Sequence, residues 1–193
     1  VLGGKAAIGE MVFYGQKLQS LPQKVVPMSL RRPLSLSEFM GINTFVDDPS
    51  TQVAAVSTII REYHNWDWHQ PKGLTQSQAL QLGWAFAPAT AGPWDFDRYY
   101  ETLSALNLKV FPCLQGSPAW LADEFNQRPQ DLQFSASDPQ AYRWHSAFAW
   151  QYGARYGARE HPTNLLRLGP GQAYKSGLNL IAGFEAWNEP DKW

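Results

Sequence analysis

Asp95-Phe96-Asp97-Arg98-Tyr99-Tyr100-Glu101-Thr102-Leu103-Ser104-Ala105-Leu106-Asn107-Leu108-Lys109-Val110-Phe111-Pro112-Cys113-Leu114 holds a helix, a stop and a strand in immediate succession. Asp95 is a residue type whose side chain accepts from the free amides of a first helical turn. Phe96, Tyr99, Tyr100, Leu103 and Leu106 recur at three- and four-residue spacing, which gives the helix one apolar face. Asn107 tolerates the left-handed backbone that ends a helix, and Leu108 to Leu114 is a short apolar run of strand character. Pro112 brings no amide proton to a ladder, a loss that is tolerable near a strand end.

The same rhythm extends in both directions. Upstream, Phe39 to Asn43 is expected as a strand, Asp48-Pro49 opens a short helix through Val53, Ala54 and Val56, and Thr58 to Tyr63 is a second strand. That strand runs into His64-Asn65-Trp66-Asp67-Trp68-His69, with a long loop after it. Downstream, Asp138-Pro139 starts a helix whose buried side carries Tyr142, His145, Phe148, Ala149, Tyr152 and Tyr156, with Gly157 as its stop. Leu180 to Trp187 is expected as a fourth strand, after a Gly-rich stretch from Gly169 to Gly177.

Short apolar runs alternating with helices predict an α/β fold, a parallel sheet with crossover helices. Four such units make half of a (βα)8 TIM barrel, a fold of about 250 residues. The chain has 193 residues, and four parallel strands leave two unpaired edges. Residues 37–193 are therefore expected to be the N-terminal half of a barrel domain, with the remaining half in the same or another chain. Residues 1–36, punctuated by Pro22, Pro27 and Pro33, are expected as a linker or the tail of a preceding β-rich module. Gly9-Glu10-Met11-Val12-Phe13-Tyr14-Gly15 resembles the last strand of jelly-roll carbohydrate-binding modules.

Composition narrows the partners. Sixteen Lys and Arg against seventeen Asp and Glu give a formal net charge of −1, so no electrostatic excess draws the chain to nucleic acid or to an anionic membrane. No run of about 18 apolar residues offers a membrane span. Cys113 is the only cysteine, which excludes an intrachain disulfide and a cysteine-rich zinc site. Val1-Leu2-Gly3-Gly4-Lys5 is neither a signal n-region nor an initiator start, so the chain is expected to begin inside a longer product. Nine tryptophans suit either core packing or a surface that stacks rings on sugars.

A barrel keeps its active site at the carboxyl ends of its strands, so the residues after each apolar run carry the functional reading. After the expected fourth strand comes Trp187-Asn188-Glu189-Pro190-Asp191-Lys192-Trp193. Phe184-Glu185-Ala186-Trp187-Asn188-Glu189-Pro190 resembles the acid/base motif of clan A retaining glycosidases, and most closely that of the β-xylosidase and α-iduronidase group. Arg155-Tyr156-Gly157, Gly116-Ser117-Pro118 and Arg61 near the end of the second strand fit the same template. The insert from Ala158 to Asn179 departs from compact members. The resemblance implies a retaining glycoside hydrolase acting on an oligo- or polysaccharide, secreted or periplasmic, with no cofactor and no metal. It further implies that Asn188 binds the sugar 2-hydroxyl, that Arg61 orients the nucleophile, and that the nucleophile is a Glu ending a seventh strand beyond this chain.

The chemistry asks for such residues on its own terms. A glycosidic bond breaks when a carboxylic acid protonates the leaving oxygen and a second carboxylate attacks the sugar carbon. Glu189 suits the first role, in a semi-buried site that keeps it protonated. His64 is a candidate for bonding sugar hydroxyls, while Trp66, Trp68, Trp94, Trp120, Trp187 and Trp193 lie near strand ends, where stacking platforms form. Trp144 and Trp150 fall within a helix and are expected to pack. Two other readings stay open: a non-catalytic carbohydrate-binding barrel, and a metal-dependent hydrolase in which His64, Asp67 and His69 converge on an ion.

Overall fold

A computed structural model describes residues 35–69, 73, 75–81, 86–87, 94–169 and 171–189. Apart from Ser35 and Leu36, the expected linker or module tail at 1–36 lies outside the described residues, as does Trp193. Three parallel strands form the sheet: β1 (Gly41–Thr44), β2 (Ile59–Asn65) and β3 (Lys109–Gln115), neighbours in chain order. Ile42 pairs with Ile60, Arg61 with Phe111 and Asn65 with Gln115.

The connections are helical. Helix α1 (Leu36–Phe39) precedes β1, and its Ser35 cap and Glu38 form a capping box. Phe39 therefore belongs to a helix, and β1 starts at Gly41 rather than Phe39. Helix α2 (Ser50–Val56) links β1 to β2. Strand β2 runs two residues beyond Tyr63, because β3 supplies ladder partners as far as Gln115, and a 3-10 turn then covers Trp66–His69. The segment expected as a long loop holds α3 (Gln76–Gln81), opened by Thr75 and Gln78, each bonding the other's backbone amide.

Helix α4 (Phe96–Ala105) has Asp95 accepting from the Arg98 amide at 3.1 Å, and Asn107 ends it with φ of 60°. After β3, Asp138 caps a 3-10 turn at Pro139–Tyr142 before α5 (Arg143–Tyr156) begins. The expected single helix is split because Tyr142 leaves helical conformation, at φ −110° and ψ 11°. Gly157 stops α5 with extended backbone, where a Cβ would sit 2.5 Å from the Gly153 carbonyl oxygen.

The expected fourth strand, Leu180 to Trp187, is reduced to a single parallel bridge between Glu185 and Cys113. There the Glu185 amide donates to the Pro112 carbonyl and the Leu114 amide to the Glu185 carbonyl, both at 2.9 Å. Ala182 donates to Val110, also at 2.9 Å. The amide of Lys109 faces β2, donating to Thr58, whereas that of Leu114 faces the 182–185 segment. Pro112 has the same parity as Leu114, so its missing donor falls on the side of that segment, where the next rung of the ladder would form. The donors Ala182 and Glu185 are three residues apart while their acceptors Val110 and Pro112 are two apart, so a bulge and the missing proline donor together leave a strand-like approach without a strand.

The core lies between one face of this sheet and helices α4 and α5. Ile60, Val110 and Leu114 meet Phe96, Tyr100, Leu103, Phe148, Tyr152 and Tyr156, all buried. Each apolar side chain so enclosed contributes about 1.5–3 kcal/mol. The helices are joined by a buried pair: Arg155 of α5 donates to both carboxylate oxygens of Asp97 on α4, at 2.8 and 2.6 Å, and Tyr156 adds a bond at 3.1 Å. Burial opposes the charge on Asp97, but the Arg155 bonds and charge, with Tyr156 and Lys175, outweigh it and hold the carboxyl below its ordinary range.

Candidate functional site

Side chains alternate across β2, so two chemistries share one strand. Ile60, Glu62 and His64 turn towards the helices and are buried, whereas Arg61, Tyr63 and Asn65 turn to the opposite, more open face. Register adds Phe111, Cys113 and Gln115 of β3 to that open face, and the bridge to Cys113 adds Glu185. At the carboxyl end, Gln115 donates to Asn65 at 3.1 Å.

Arg61 is the centre of this face. Its Nε donates to Glu185 Oε1 at 2.9 Å and its Nη2 to Oε2 at 2.7 Å, a fork of two parallel bonds. The same Nη2 donates to Asn188 Oδ1 at 3.1 Å, and the guanidinium lies over the Tyr63 ring, 4.7 Å from its centroid. Hydrogen bonding from Arg61 holds the Glu185 carboxyl below its ordinary range, so the pair is charged. Cys113, enclosed beside it, has its thiol pushed up to about 12 by burial, against the opposing pull of Arg61. Arg61 is the third of seven residues in β2 rather than near its end, and it reaches up the sheet to Glu185 and Asn188.

The chain turns at Glu189, whose φ is 47°, and the residue is exposed rather than semi-buried. Gly116 closes β3 with φ of 75°, where a Cβ would lie 2.2 Å from the Phe125 ring, so this position requires glycine. The loop that follows borders an open hollow of about 950 Å³, walled by Trp120, Leu121, Arg128, Asp131 and Leu132 among others.

The candidate tryptophans separate into two kinds. Trp66 is fully enclosed, stacked on Phe148 at 5.3 Å and edge-on to Trp120, itself 8% exposed. Both pack the core in this fold instead of offering a ring face to a sugar. Trp68 and Trp94 are half-buried, 4.9 Å apart, and gather with Phe45 at the carboxyl ends of β1 and β2. Trp94 also donates to Asp47 at 3.0 Å. Trp187, half-buried, meets His145 of α5 edge-on at 5.4 Å. Of the helical pair, Trp144 packs against the core and donates to Asp131 at 3.3 Å, whereas Trp150 is 41% exposed beside His161.

His64 belongs to β2, not to a loop, and it faces the helices, where no sugar can reach it. Its Nδ1 meets Glu62 Oε1 at 2.8 Å and the Tyr100 hydroxyl at 3.1 Å, while its Nε2 meets Nε2 of His69. Tyr100 in turn bonds Glu62 and Tyr152. Burial pushes Glu62 up to about 8 and His64 down to about 3, and holds His69 well below its ordinary value. The direction of the chain follows from its end. His69 Nδ1 faces the Ala87 carbonyl at 3.3 Å, which only accepts, so that nitrogen carries a proton and Nε2 accepts from His64. His64 Nδ1 must then accept as well, from Tyr100 or from a protonated Glu62. A neutral cluster results, in which every contact to Glu62 falls on Oε1 and its buried Oε2 has no hydrogen-bond partner among the described residues. Among the described residues, no three His, Cys, Asp or Glu side chains gather as a metal site, and Asp67 does not complete one with the two histidines.

Glu185, Tyr63, Asn65 and Gln115 are the site residues that sequence reading missed. The signal for the last three was the period of two running from Arg61 through Tyr63 to Asn65, matched by Phe111, Cys113 and Gln115. Protein-family models, curated proteins and solved structures yield no match to this chain.

Proposed function

We propose that the chain forms the N-terminal half of the TIM barrel of a retaining glycoside hydrolase that cleaves an oligo- or polysaccharide. The observation that supports the reading is the bond from Arg61 to Asn188, which joins the open face of the sheet to the turn carrying the exposed Glu189. Glu189 gives its proton to the glycosidic oxygen as the bond to the anomeric carbon breaks and a carboxylate from the later part of the protein attacks that carbon. Glu189, now ionised, takes a proton from water, whose oxygen displaces the enzyme carboxylate and releases the sugar. Asn188 binds the 2-hydroxyl, an interaction that strengthens as the oxocarbenium-like state forms. Trp68, Trp94 and Trp187 keep part of their surface available for ring stacking.

Glu189→Gln in the full-length protein tests the reading. Loss of general-acid assistance lowers turnover of glycosides with poor leaving groups by about 10²- to 10⁴-fold. An activated aryl glycoside still completes its first step, so a covalent glycosyl-enzyme accumulates, seen as a burst that added azide relieves. Equal losses on both substrates with no trapped intermediate would assign Glu189 a structural role, and binding without turnover of any glycoside by the wild type would instead leave a barrel that binds sugar without cleaving it.

A further inference from the structure

We propose that Glu185 is a positioning residue: by locking the Arg61 fork, it sets Asn188 with its amide oxygen inward and its NH2 group towards substrate. The inference rests on the glycosidase reading above and assigns a task to a carboxylate that the acid/base chemistry leaves unused.

The argument is an inventory of protons. Arg61 Nε has one hydrogen, spent on Glu185 Oε1 at 2.9 Å. Nη2 has two, one spent on Glu185 Oε2 at 2.7 Å and the other on Asn188 Oδ1 at 3.1 Å. A guanidinium is planar, so fixing its Nε/Nη2 edge on a carboxylate also fixes the direction of the second Nη2 hydrogen. Asn188 must meet that hydrogen with its oxygen, because its NH2 group would bring donor against donor. The orientation that is ambiguous for a free asparagine is thereby decided, and its two N–H donors are directed away from Arg61. Tyr63 below the guanidinium and the backbone bonds of Glu185 to β3 hold the assembly from beneath. A merely structural ion pair would have no such one-way consequence for its neighbour.

If Glu185 acts through Asn188, its effect depends on the substrate having a 2-hydroxyl. The test uses the full-length protein with the 4-nitrophenyl glycoside it cleaves fastest in a panel, and the 2-deoxy counterpart of that compound. Glu185→Gln is expected to lower kcat about tenfold on the hydroxylated substrate, less than the ~10² to 10³ of losing a whole transition-state donor. KM should change little. On the 2-deoxy substrate the variant and the wild type should agree within about threefold, and Glu185→Asp should recover part of the loss. Equal losses on both substrates would overturn the positioning role and leave only a structural one. In parallel, the side-chain amide resonances of Asn188, read in asparagine-labelled protein, should move in Glu185→Gln. An unmoved amide overturns the proposal whatever the kinetics. Failure of the glycosidase reading looks different: no glycoside in the panel is cleaved, or Glu189→Gln changes all substrates alike, while the amide resonances still report on Glu185.

Discussion

The two faces of β2 treat ionisable groups in opposite ways within seven residues. On the helix side, Glu62 and His64 are enclosed and their charges are suppressed, the acid pushed up to about 8 and the imidazole down to about 3 by burial. On the open side, Arg61 and Glu185 stay charged and face each other, with side-chain exposures of 24% and 46%. A parallel sheet covered on one face makes this partition automatic, because neighbouring side chains point apart. The lesson is that the covered face specifies the fold and the open face is where polar groups remain available for chemistry.

The largest effect expected from breaking this arrangement belongs to the covered side. Asp97→Ala leaves Arg155, buried to 1% exposure, without the carboxylate that accepts its fork. Removing one partner of a buried pair costs about 3–5 kcal/mol, and urea unfolding of the full-length protein measures it. A loss below about 1 kcal/mol would show that the Ala173 carbonyl, which already accepts from Arg155 at 3.0 Å, and entering water satisfy the guanidinium, and that the helix pair does not depend on Asp97.

That pair also marks what could be read from sequence. Arg155-Tyr156 drew attention only by resemblance, since nothing local shows that Asp97, 58 residues away, is its partner. Helix α4 was legible because cap, apolar spacing and stop all lie within thirteen residues, Asp95 to Asn107. β3 was legible for the same reason. The fourth segment was misread because its pairing is decided jointly with another strand, by the amide that Pro112 lacks and by the extra residue between Ala182 and Glu185. His64 was misplaced because ending β2 at Tyr63 hides that it shares the parity of Ile60 and Glu62 and faces the helices with them, and Trp66 because it lies in the 3-10 turn that folds back on the core. Asn188 and Glu189 stood out by motif, but Glu185 required the geometry of Arg61.

The second effect concerns pH and is confined to the covered side. Glu62 has its folded pKa raised to about 8 from an ordinary carboxylate value, so the folded state binds a proton more tightly than the unfolded chain. Its contribution is fully present below about 4.5 and is lost as pH rises through 8. His64 runs the other way: lowered to about 3, its contribution is fully present above about 6.5 and is lost as pH falls towards 3. Glu62→Gln removes only the first of these. Thermal unfolding between pH 5 and 9 should therefore fall less steeply for the variant than for the wild type, and the two should keep the same acid limb. Parallel curves across the whole range would mean that Glu62 is ionised in the folded protein and that the proton order along His64 and His69 is reversed.

The smallest effect on stability belongs to the open side, and it completes the contrast. The Arg61–Glu185 pair is bidentate, yet both groups reach solvent, so water and salt screen the attraction and the side chains lose freedom in making it. Exposed pairs of this kind are worth about 0.2–1 kcal/mol. Glu185→Gln should accordingly lower unfolding free energy by less than about 1 kcal/mol, and raising the ionic strength to about 1 M, where the screening length falls to ~3 Å, should shrink the difference further. The same substitution is the one expected to disturb Asn188. A variant that keeps its stability while losing turnover on the 2-hydroxyl substrate separates the two faces by function, with the covered side stabilising the fold and the open side orienting donors. A stability loss of 3 kcal/mol or more, insensitive to salt, would instead place Arg61 and Glu185 with Asp97 and Arg155, as one more buried clamp.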